Sequence, residues 1–202
     1  VFDTAFHHTM PEEAYLYAVP YDWYERYQVR KYGFHGTSHK YVSYRAAEIM
    51  GKKPEDVNVV VAHIGNGASI CAVKAGHSVD TSMGFTPLEG IPMGTRSGNI
   101  DPAIIEYMML KKNKSAKEIT NYLNKQSGYI GVSGISSDSR DLVDAAEKGN
   151  HRAALAIAVQ AKRIADYIAS YYVYMGGADA IVFTAGIGEN AKTTRSDICN
   201  RL

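Results

Sequence analysis

Two side chains that could bind an anion lie in glycine-flanked loops. In residues 94–98 the backbone is free to approach a ligand, and the guanidinium of Arg96 can hold two phosphate oxygens. In residues 33–36, His35 could donate a hydrogen bond to a charged group. A solvated arginine and a structural histidine are the alternative interpretations. His39 follows at the spacing of a helical metal pair, but the glycines keep His35 off a regular helix and no Glu follows it, so the pair predicts no metal site.

Two glycine turns could bring backbone N–H groups up to a phosphate. The first joins two predicted strands and lacks the Gly-Lys-Ser/Thr ending of a Walker loop. The second follows a predicted strand and precedes a predicted helix, whose N-terminus favours anions, but the third glycine of a dinucleotide-binding turn is missing. An ordinary hairpin and a structural turn are the alternatives. The two turns are His63, Ile64, Gly65, Asn66 and Gly67, and Gly186, Ile187, Gly188, Glu189 and Asn190.

Two further positions are ambiguous by residue type alone. Residues 134–141 read first as the start of a helix, with Ser137, Asp138 or Ser139 available as the cap. Asp3 is a carboxylate in an apolar setting, which suits either a turn former or a catalytic group.

The elements that must position these residues form an α/β pattern. A β-branched run at 57–62 predicts a buried strand, followed by strands at 69–74 and 77–82, and a second buried strand is predicted at 180–184. Residues 150–175 have alanines and isoleucines spaced at three and four, which predicts a long helix. Shorter helices are predicted within 12–27, at 39–50 with Thr37 or Ser38 as cap, at 101–112, 115–126 and 139–148, and from 193 to 202. The order predicts a mixed sheet flanked by helices.

Composition places the chain among ordinary globular proteins. Hydrophobic residues make up 46% and charged residues 21%, and 22 Lys and Arg stand against 21 Asp and Glu. A net charge of +1 offers no field for a nucleic acid or an anionic membrane. No apolar run has the length of a membrane span, so we expect a soluble protein. Cys71 and Cys199 lack metal-ligand spacing, which fits reduced thiols in a cytoplasm.

Taken in order, the motifs closely resemble those of the acetate kinase family. They are VFDTAFHHTMPEEAYLYAVP, YGFHGTSH, HIGNGAS, DTSMGFTPLEGIPMGTRSGNIDP, GISSDSRD and VFTAGIGEN, and the match covers essentially the whole chain. The resemblance implies an actin-like ATPase (ribonuclease H-like) fold. It also implies an ATP-dependent phosphotransferase that uses Mg²⁺ to make acetyl phosphate and ADP from acetate.

The resemblance further implies a role for each motif. Asp3 would be the catalytic carboxylate, while His35 and Arg96 would contact the transferring phosphoryl group. Phe34 and Pro87 would wall the pocket for the acyl methyl group. The phosphates would touch His63, Ile64, Gly65, Asn66 and Gly67, and the nucleoside side of ATP would touch Asp138, Ser139 and Arg140 together with Gly186, Ile187, Gly188, Glu189 and Asn190.

Some of the family's pattern is not found in this sequence. The Asn-Ala-Gly-Ser-Ser-Ser strand does not precede Val1, and neither the second substrate arginine nor the C-terminal glutamate associated with Mg²⁺ is found. We therefore expect residues 1–202 to be a C-terminal nucleotide-binding domain cut at both ends and inactive alone, with most Mg²⁺ ligands outside it. A propionate or butyrate kinase and a non-catalytic nucleotide-binding module are the alternatives. The resemblance also implies a cytoplasmic homodimer.

Overall fold

A computed structural model describes residues 2–202, which contain one four-stranded mixed sheet. Val1, at which we expected a cut in an apolar motif, lies outside the described residues. The sheet order is β3-β2-β1-β4, with β1 antiparallel to β2, β2 antiparallel to β3, and β1 parallel to β4. The strands are β1 (Asn58–Ile64), β2 (Ala68–Lys74), β3 (His77–Thr81) and β4 (Ala180–Thr184). The predicted mixed α/β sheet is confirmed.

Ten α-helices and two short 3₁₀ segments (Ala5–Thr9 and Pro54–Asp56) surround this sheet in the described part of the chain. The helices are α1 (Glu12–Tyr15), α2 (Tyr21–Tyr27), α3 (Gly36–Ile49), α4 (Ala103–Lys112), α5 (Ala116–Lys125), α6 (Gly128–Ser133), α7 (Ser139–Glu147), α8 (His151–Met175), α9 (Ala185–Asn190) and α10 (Lys192–Cys199). The predicted long helix is confirmed as α8, which Asn150 caps at its start and Gly176 closes in a left-handed conformation. Within residues 2–202, no helix combines the length and apolar character needed to cross a bilayer.

The strand β1 is buried on both faces, and this fixes the layers of the fold. Val60, Ala62 and Ile64 pack with Ile164 and Ile168 of α8 in one core cluster. The alternate residues Val59 and Val61 pack in a second cluster with Ala46 and Ala47 of α3. Because successive side chains point to opposite faces, an uninterrupted apolar run is what a strand between two helical layers requires. The central strand therefore has a fixed register, which also fixes where its carboxyl end lies.

Several predicted boundaries were wrong, and β4 is not the buried strand that was predicted. It lies at the edge of the sheet in the described residues, and its side chains are half-buried or exposed. The strand predicted at 57–62 runs on to Ile64, because His63 and Ile64 pair with Ser69 and Ala68. The helix predicted at 39–50 begins at Gly36 without a side-chain cap from Thr37 or Ser38. Helix α6 was not predicted at all, and the last helix lies at Lys192–Cys199 rather than 193–202.

The second glycine turn also differs from its prediction. Ala185 alone adopts a left-handed φ of 64° and makes the sharp reversal after β4. Ala185 is also the first residue of α9, so Gly186 and Gly188 lie in a helix rather than in the turn. Both cysteines are free, as expected, with Cys71 buried and Cys199 exposed.

Candidate active site

The carboxyl ends of two parallel strands meet at one edge of the sheet. β1 ends at Ile64 and β4 at Thr184, and His63 is the register partner of Thr184. Beyond β1 the chain turns through residues 65–67, and beyond β4 it enters α9. In open α/β sheets ligands bind outside the carboxyl ends of the strands. This edge is therefore where a binding site is expected.

A cleft of about 680 Å³ lies at this edge. Three segments that are distant in sequence form its walls: the turn after β1, the residues leading into α7, and α9. The lining residues are Gly65, Asn66, Ser137, Asp138, Ser139, Arg140, Gly186, Ile187, Asn190 and Ala191. The volume is within the range of about 300–1,000 Å³ typical of small-molecule sites. The cleft can therefore hold a ligand of nucleotide size.

This cleft is lined by eight of the thirteen residues that were predicted to contact the nucleotide, and the other five lie elsewhere. Ile64 is fully buried in the core, and Gly188 is buried on the side of α9 that faces β1 and β4. The carboxylate of Glu189 accepts a hydrogen bond from the Thr184 hydroxyl at 3.0 Å. His63 and Gly67 belong instead to a group around His35, described below. Ser137 and Ala191 line the cleft but were not among the predicted residues, although each adjoins one that was.

The mouth of the cleft carries an ion pair at the start of α7. Asp138 caps this helix by accepting the Arg140 N–H at 2.9 Å, and its carboxylate also lies 2.6 Å from the Arg140 guanidinium. The hydrogen bonds from Arg140 lower the pKa of Asp138 to about 2. The Arg140 side chain is 87% exposed, so the pair adds little to stability. It leaves an arginine beside the cleft that an anionic or aromatic ligand group could contact.

The glycine-rich loop packs directly against the cleft. A β-carbon at Gly94 would lie 2.4 Å from Asn66 Oδ1 and 3.0 Å from the Ser137 carbonyl oxygen. A side chain at this position would force the Asn66 side chain and the Ser137 backbone to shift, so glycine permits this close approach. The same loop carries Arg96, and the packing therefore couples the position of Arg96 to that of the cleft.

His35 and Arg96 converge on Gly67, which belongs to the turn after β1. A β-carbon at Gly67 would lie 3.4 Å from His35 Nε2 and 3.5 Å from Arg96 Nη1. The structure thus brings together two of the three predicted catalytic side chains at a point without a side chain of its own. A small anion at this point could accept hydrogen bonds from both nitrogens.

The two residues predicted to wall an acyl pocket adjoin the side chains that meet at Gly67, Pro87 by contact with Arg96 and Phe34 by its place before His35. Arg96 Nη1 lies 3.3 Å from the Pro87 carbonyl oxygen and 3.7 Å from Met93 Sδ. Phe34 precedes His35 and packs partly buried against the main core cluster. The carbonyl oxygen of Phe34 bonds His7 Nε2 at 2.8 Å, which ties this segment to the first 3₁₀ turn.

Asp3 holds the segment that carries His35. Its carboxylate accepts the His35 backbone N–H at 2.8 Å, and its carbonyl oxygen accepts the Gly36 N–H at 2.8 Å. These bonds fix the chain just ahead of α3, which begins at Gly36, so Thr37 and Ser38 lie inside the helix and not at its cap position. They also hold His35 in a left-handed conformation with φ of 57°. Asp3 therefore fixes the histidine, in addition to any contact that it makes with a ligand.

Four histidines form a cluster behind this point. The His35 ring stacks on the His63 ring at 4.1 Å between centroids, and His39 lies edge-on to His63 at 6.1 Å and to His7 at 5.7 Å. The Ser38 hydroxyl bonds His63 Nδ1 at 2.9 Å. His7 Nδ1 bonds the Ser78 hydroxyl at 2.8 Å.

Burial keeps all four imidazoles in their neutral form at neutral pH. It lowers the pKa of His7, lowers that of His35 despite the nearby Asp3, and lowers that of His39 well below its usual range. The pKa of His63 falls to about 4 through burial, with His35 lowering it further. His35 therefore meets a ligand as a neutral hydrogen-bond donor or acceptor, and which one depends on its tautomer.

Reasoning from the sequence missed the residues that support His35. His39 was considered only as half of a metal pair, and Ser69 appeared only as the last residue of a motif. The available signal was the four-residue spacing of His35 and His39, which brings both toward one side of α3. Among residues 2–202, no three His, Cys, Asp or Glu side chains approach closely enough to hold a metal ion.

Comparisons with known proteins relate the whole chain to one family of kinases. The family model described as "Acetokinase family" matches residues 1–202. The acetate kinase of Acholeplasma laidlawii is 64% identical over all 202 residues, which are 51% of its length. The crystal structure of Porphyromonas gingivalis acetate kinase superposes with a TM-score of 0.97 at 52% identity, covering 98% of this chain and 50% of that one.

A propionate kinase from Francisella tularensis superposes with a TM-score of 0.96 at 52% identity, covering all of this chain and 52% of that one. The chain thus spans about half the length of the relatives that it matches. These similarities confirm the predicted actin-like ATPase fold.

Proposed function

Because the chain belongs to the acetokinase family, we propose that it supplies the nucleotide-binding part of an enzyme that phosphorylates acetate with ATP. In this reaction a carboxylate oxygen of acetate bonds to the γ-phosphorus, and the bond from that phosphorus to the bridging oxygen of ADP breaks. The products are acetyl phosphate and ADP, and the reaction is reversible. In this proposal residues 1–202 act as the C-terminal domain of a longer enzyme.

The convergence of His35 and Arg96 on Gly67, beside a cleft of nucleotide size, carries this proposal. Phosphoryl transfer spreads negative charge over three equatorial oxygens, so fixed donors aimed at those oxygens provide most of the catalysis. Arg96 contributes a permanent charge, and neutral His35 contributes a hydrogen bond. Asp3, next to His35, would act as the carboxylate of the site and would hold the His35 segment in place.

The cleft suggests how ATP would lie. The turn at residues 65–67 runs from the cleft to the point between His35 and Arg96, so the phosphates would follow this turn and the γ-phosphoryl group would lie at Gly67. The nucleoside would occupy the end lined by Arg140 and α9. The acyl group of acetate would approach from the side of Phe34 and Pro87.

Three features rest on the family resemblance alone and stay within this proposal: Mg²⁺, a homodimer, and a cytoplasmic location. The described residues contain no ready-made carboxylate cluster for the metal. In this proposal Mg²⁺ arrives with the nucleotide, and most of its protein ligands lie outside this chain. Its role would be to neutralise the charge of the phosphates.

The test is replacement of Arg96 in the full-length protein that carries this sequence. We expect Arg96→Ala to lower kcat by about 10³-fold or more, the scale of a lost phosphoryl-clamping arginine. Arg96→Lys should rescue poorly, because one charge on a flexible stem does not reproduce the planar two-pronged grip. Arg163→Ala, which removes an exposed arginine from a surface ion pair on α8, is the matched control. Trapping acetyl phosphate as a hydroxamate measures turnover, and an Arg96→Ala enzyme as fast as the control would refute the proposal.

The similarity to a propionate kinase supports a second candidate substrate. The two acids differ by one methylene group, which a hydrophobic pocket discriminates by only about 1–3 kcal/mol. Comparing kcat/KM for acetate, propionate and butyrate decides between them. If kcat/KM were higher for propionate than for acetate, propionate would replace acetate as the proposed substrate.

A further inference from the structure

A buried serine lies between two imidazoles behind the candidate active site. The Ser69 hydroxyl is 2.8 Å from His35 Nδ1 and 2.8 Å from His39 Nε2. Ser69 and His39 are both fully buried. Ser69 is held in β2 as the register partner of His63, and His39 is held in α3. The three side chains therefore form a chain of hydrogen bonds whose geometry is set by the core.

The protons and the partners of Ser69 together limit these hydrogen bonds to two arrangements. A serine oxygen can accept two hydrogen bonds, but if both rings donated to Ser69, its own O–H would be buried without an acceptor, because the hydroxyl bonds no third group among residues 2–202. A serine hydroxyl has one proton, so Ser69 can donate to only one of the two rings. Burial keeps both rings neutral, so each ring carries one proton. Either His39 Nε2–H donates to Ser69, which donates to His35 Nδ1, or His35 Nδ1–H donates to Ser69, which donates to His39 Nε2. The first arrangement leaves the His35 proton on Nε2, and the second leaves Nε2 without one.

The environment of His39 distinguishes the two arrangements. His39 Nδ1 is buried and has no hydrogen-bond partner among residues 2–202. In the second arrangement this atom would carry a buried N–H without an acceptor, and such groups are rare in native proteins. In the first it carries only a lone pair, and under-satisfied acceptors are less rare than orphaned N–H donors. The first arrangement is therefore favoured.

We propose that Ser69 and His39 are positioning residues that fix His35 in the tautomer with its proton on Nε2. That N–H then faces the point at Gly67 shared with Arg96. In the other tautomer a lone pair would face the oxygens of an incoming phosphoryl group and repel them. The kinetic consequence rests on the proposed function, whereas the tautomer itself does not.

The tautomers can be measured directly on the full-length protein that carries this sequence. With ring-¹⁵N-labelled histidine at a pH above the histidine pKa values, long-range ¹H–¹⁵N spectra distinguish a protonated from an unprotonated ring nitrogen. The His35 and His39 signals are assigned by their loss in His35→Gln and His39→Gln. We expect both rings to carry the proton on Nε2. A proton on Nδ1 of either ring in the unmodified chain would overturn the proposal, and this measurement needs no kinase activity.

Substitution tests the dependence of His35 on its supports. In Ser69→Ala the two ring shifts of His35 should move toward each other, because both tautomers become populated, whereas Ser69→Thr keeps the hydroxyl and should preserve them. Ser43→Ala is the matched control, since Ser43 is a buried serine on α3 that bonds only the Lys40 carbonyl oxygen among the described residues. Unchanged His35 shifts in Ser69→Ala, or equal changes in Ser43→Ala, would overturn the proposal.

Kinetics on the full-length protein provide the second readout. Mutating the hydrogen-bond partner of a metal-binding histidine typically lowers activity by about 10–100-fold, and by analogy we expect Ser69→Ala to lower kcat by about this factor with little change in nucleotide KM. Ser69→Thr should recover most of the loss. Parent-like kcat in Ser69→Ala would overturn the positioning role. If the unmodified full-length protein transfers no phosphoryl group, the proposed function fails while the tautomer measurement still stands.

Discussion

The substitution Gly67→Ala would place a methyl group where the transferring phosphoryl group is proposed to lie. The new β-carbon would lie 3.4 Å from His35 Nε2 and 3.5 Å from Arg96 Nη1, which are ordinary contact distances. Gly67 is not among the residues with positive φ, so alanine is also compatible with its backbone. We therefore expect the variant to fold. Its stability should be equal to the parent's or higher by about 0.4–1 kcal/mol, because alanine reduces the freedom of the unfolded chain.

Activity should respond very differently. A phosphoryl oxygen must come within about 2.7–3.1 Å of a donor to be stabilised, and the methyl group occupies that space for both donors at once. Loss of one such donor costs about 10²–10³ in kcat, which corresponds to about 2.7–4 kcal/mol. We expect at least this loss in Gly67→Ala, with binding of ADP in the cleft largely retained.

Three measurements on one preparation test this reasoning: hydroxamate turnover, calorimetric titration with Mg-ADP, and thermal unfolding. Turnover close to that of the parent would show that the phosphoryl group does not pass between His35 and Arg96. A strongly lowered melting temperature would show that the turn at Gly67 is tighter than its geometry indicates. Either result refutes the argument.

Three further predictions address other parts of the site. Because folding lowers the pKa of His63 from 6.5 to about 4, the unfolded chain binds more protons between these values. The stabilisation from neutral His63 is fully present above pH 6.5 and is lost as the pH falls toward 4, by about 1–2 kcal/mol after allowance for partial exposure. Urea unfolding at several pH values measures this loss. If the free energy of unfolding of His63→Gln depended on pH as steeply as that of the parent, the prediction would be contradicted. Phe34→Ala should raise KM for acetate more than it lowers kcat and should penalise propionate less, and equal losses for both acids would rule out an acyl wall at Phe34. Gly94→Ala should weaken Mg-ADP binding, because its β-carbon would collide with Asn66 at the cleft, and unchanged affinity in calorimetry would contradict this coupling.

Residue patterns predicted the layers of the fold better than its turns. The apolar run of β1 and the helical spacing of α8 were read correctly because burial dictates those patterns. The position of β4 was also read correctly, but its apolar run did not indicate burial, because β4 lies at the edge of the sheet with half-buried or exposed residues. Helices α6 and α9 were not predicted, since both contain glycines that disfavour isolated helices and are held instead by contacts with distant segments. Local propensity does not record such contacts.

In the candidate site, too, residues that local sequence marks could be predicted, whereas contacts between distant segments could not. Arg96 and the two glycine turns could be selected because arginine and glycine in loops suggest anion binding by residue type alone. The support of His35 by Ser69 could not, because it depends on β2 and α3 meeting across 34 residues of sequence. The role of Asp3 as a backbone acceptor for His35 was hidden for the same reason, since 32 residues separate the partners.

The order of the strands has a consequence for folding kinetics. The pairing of β1 with β4 joins segments far apart in sequence, and the hydrogen bond from the Asn58 N–H to the Asp179 carboxylate spans 121 residues. Closing so long a loop is entropically costly, so we expect this parallel pair to form late, after the local β1–β2 hairpin. The cleft exists only once β4 has docked, because α9 forms one of its walls. A bound nucleotide would therefore bridge the parts that assemble last, and its main effect on the chain would be to slow unfolding.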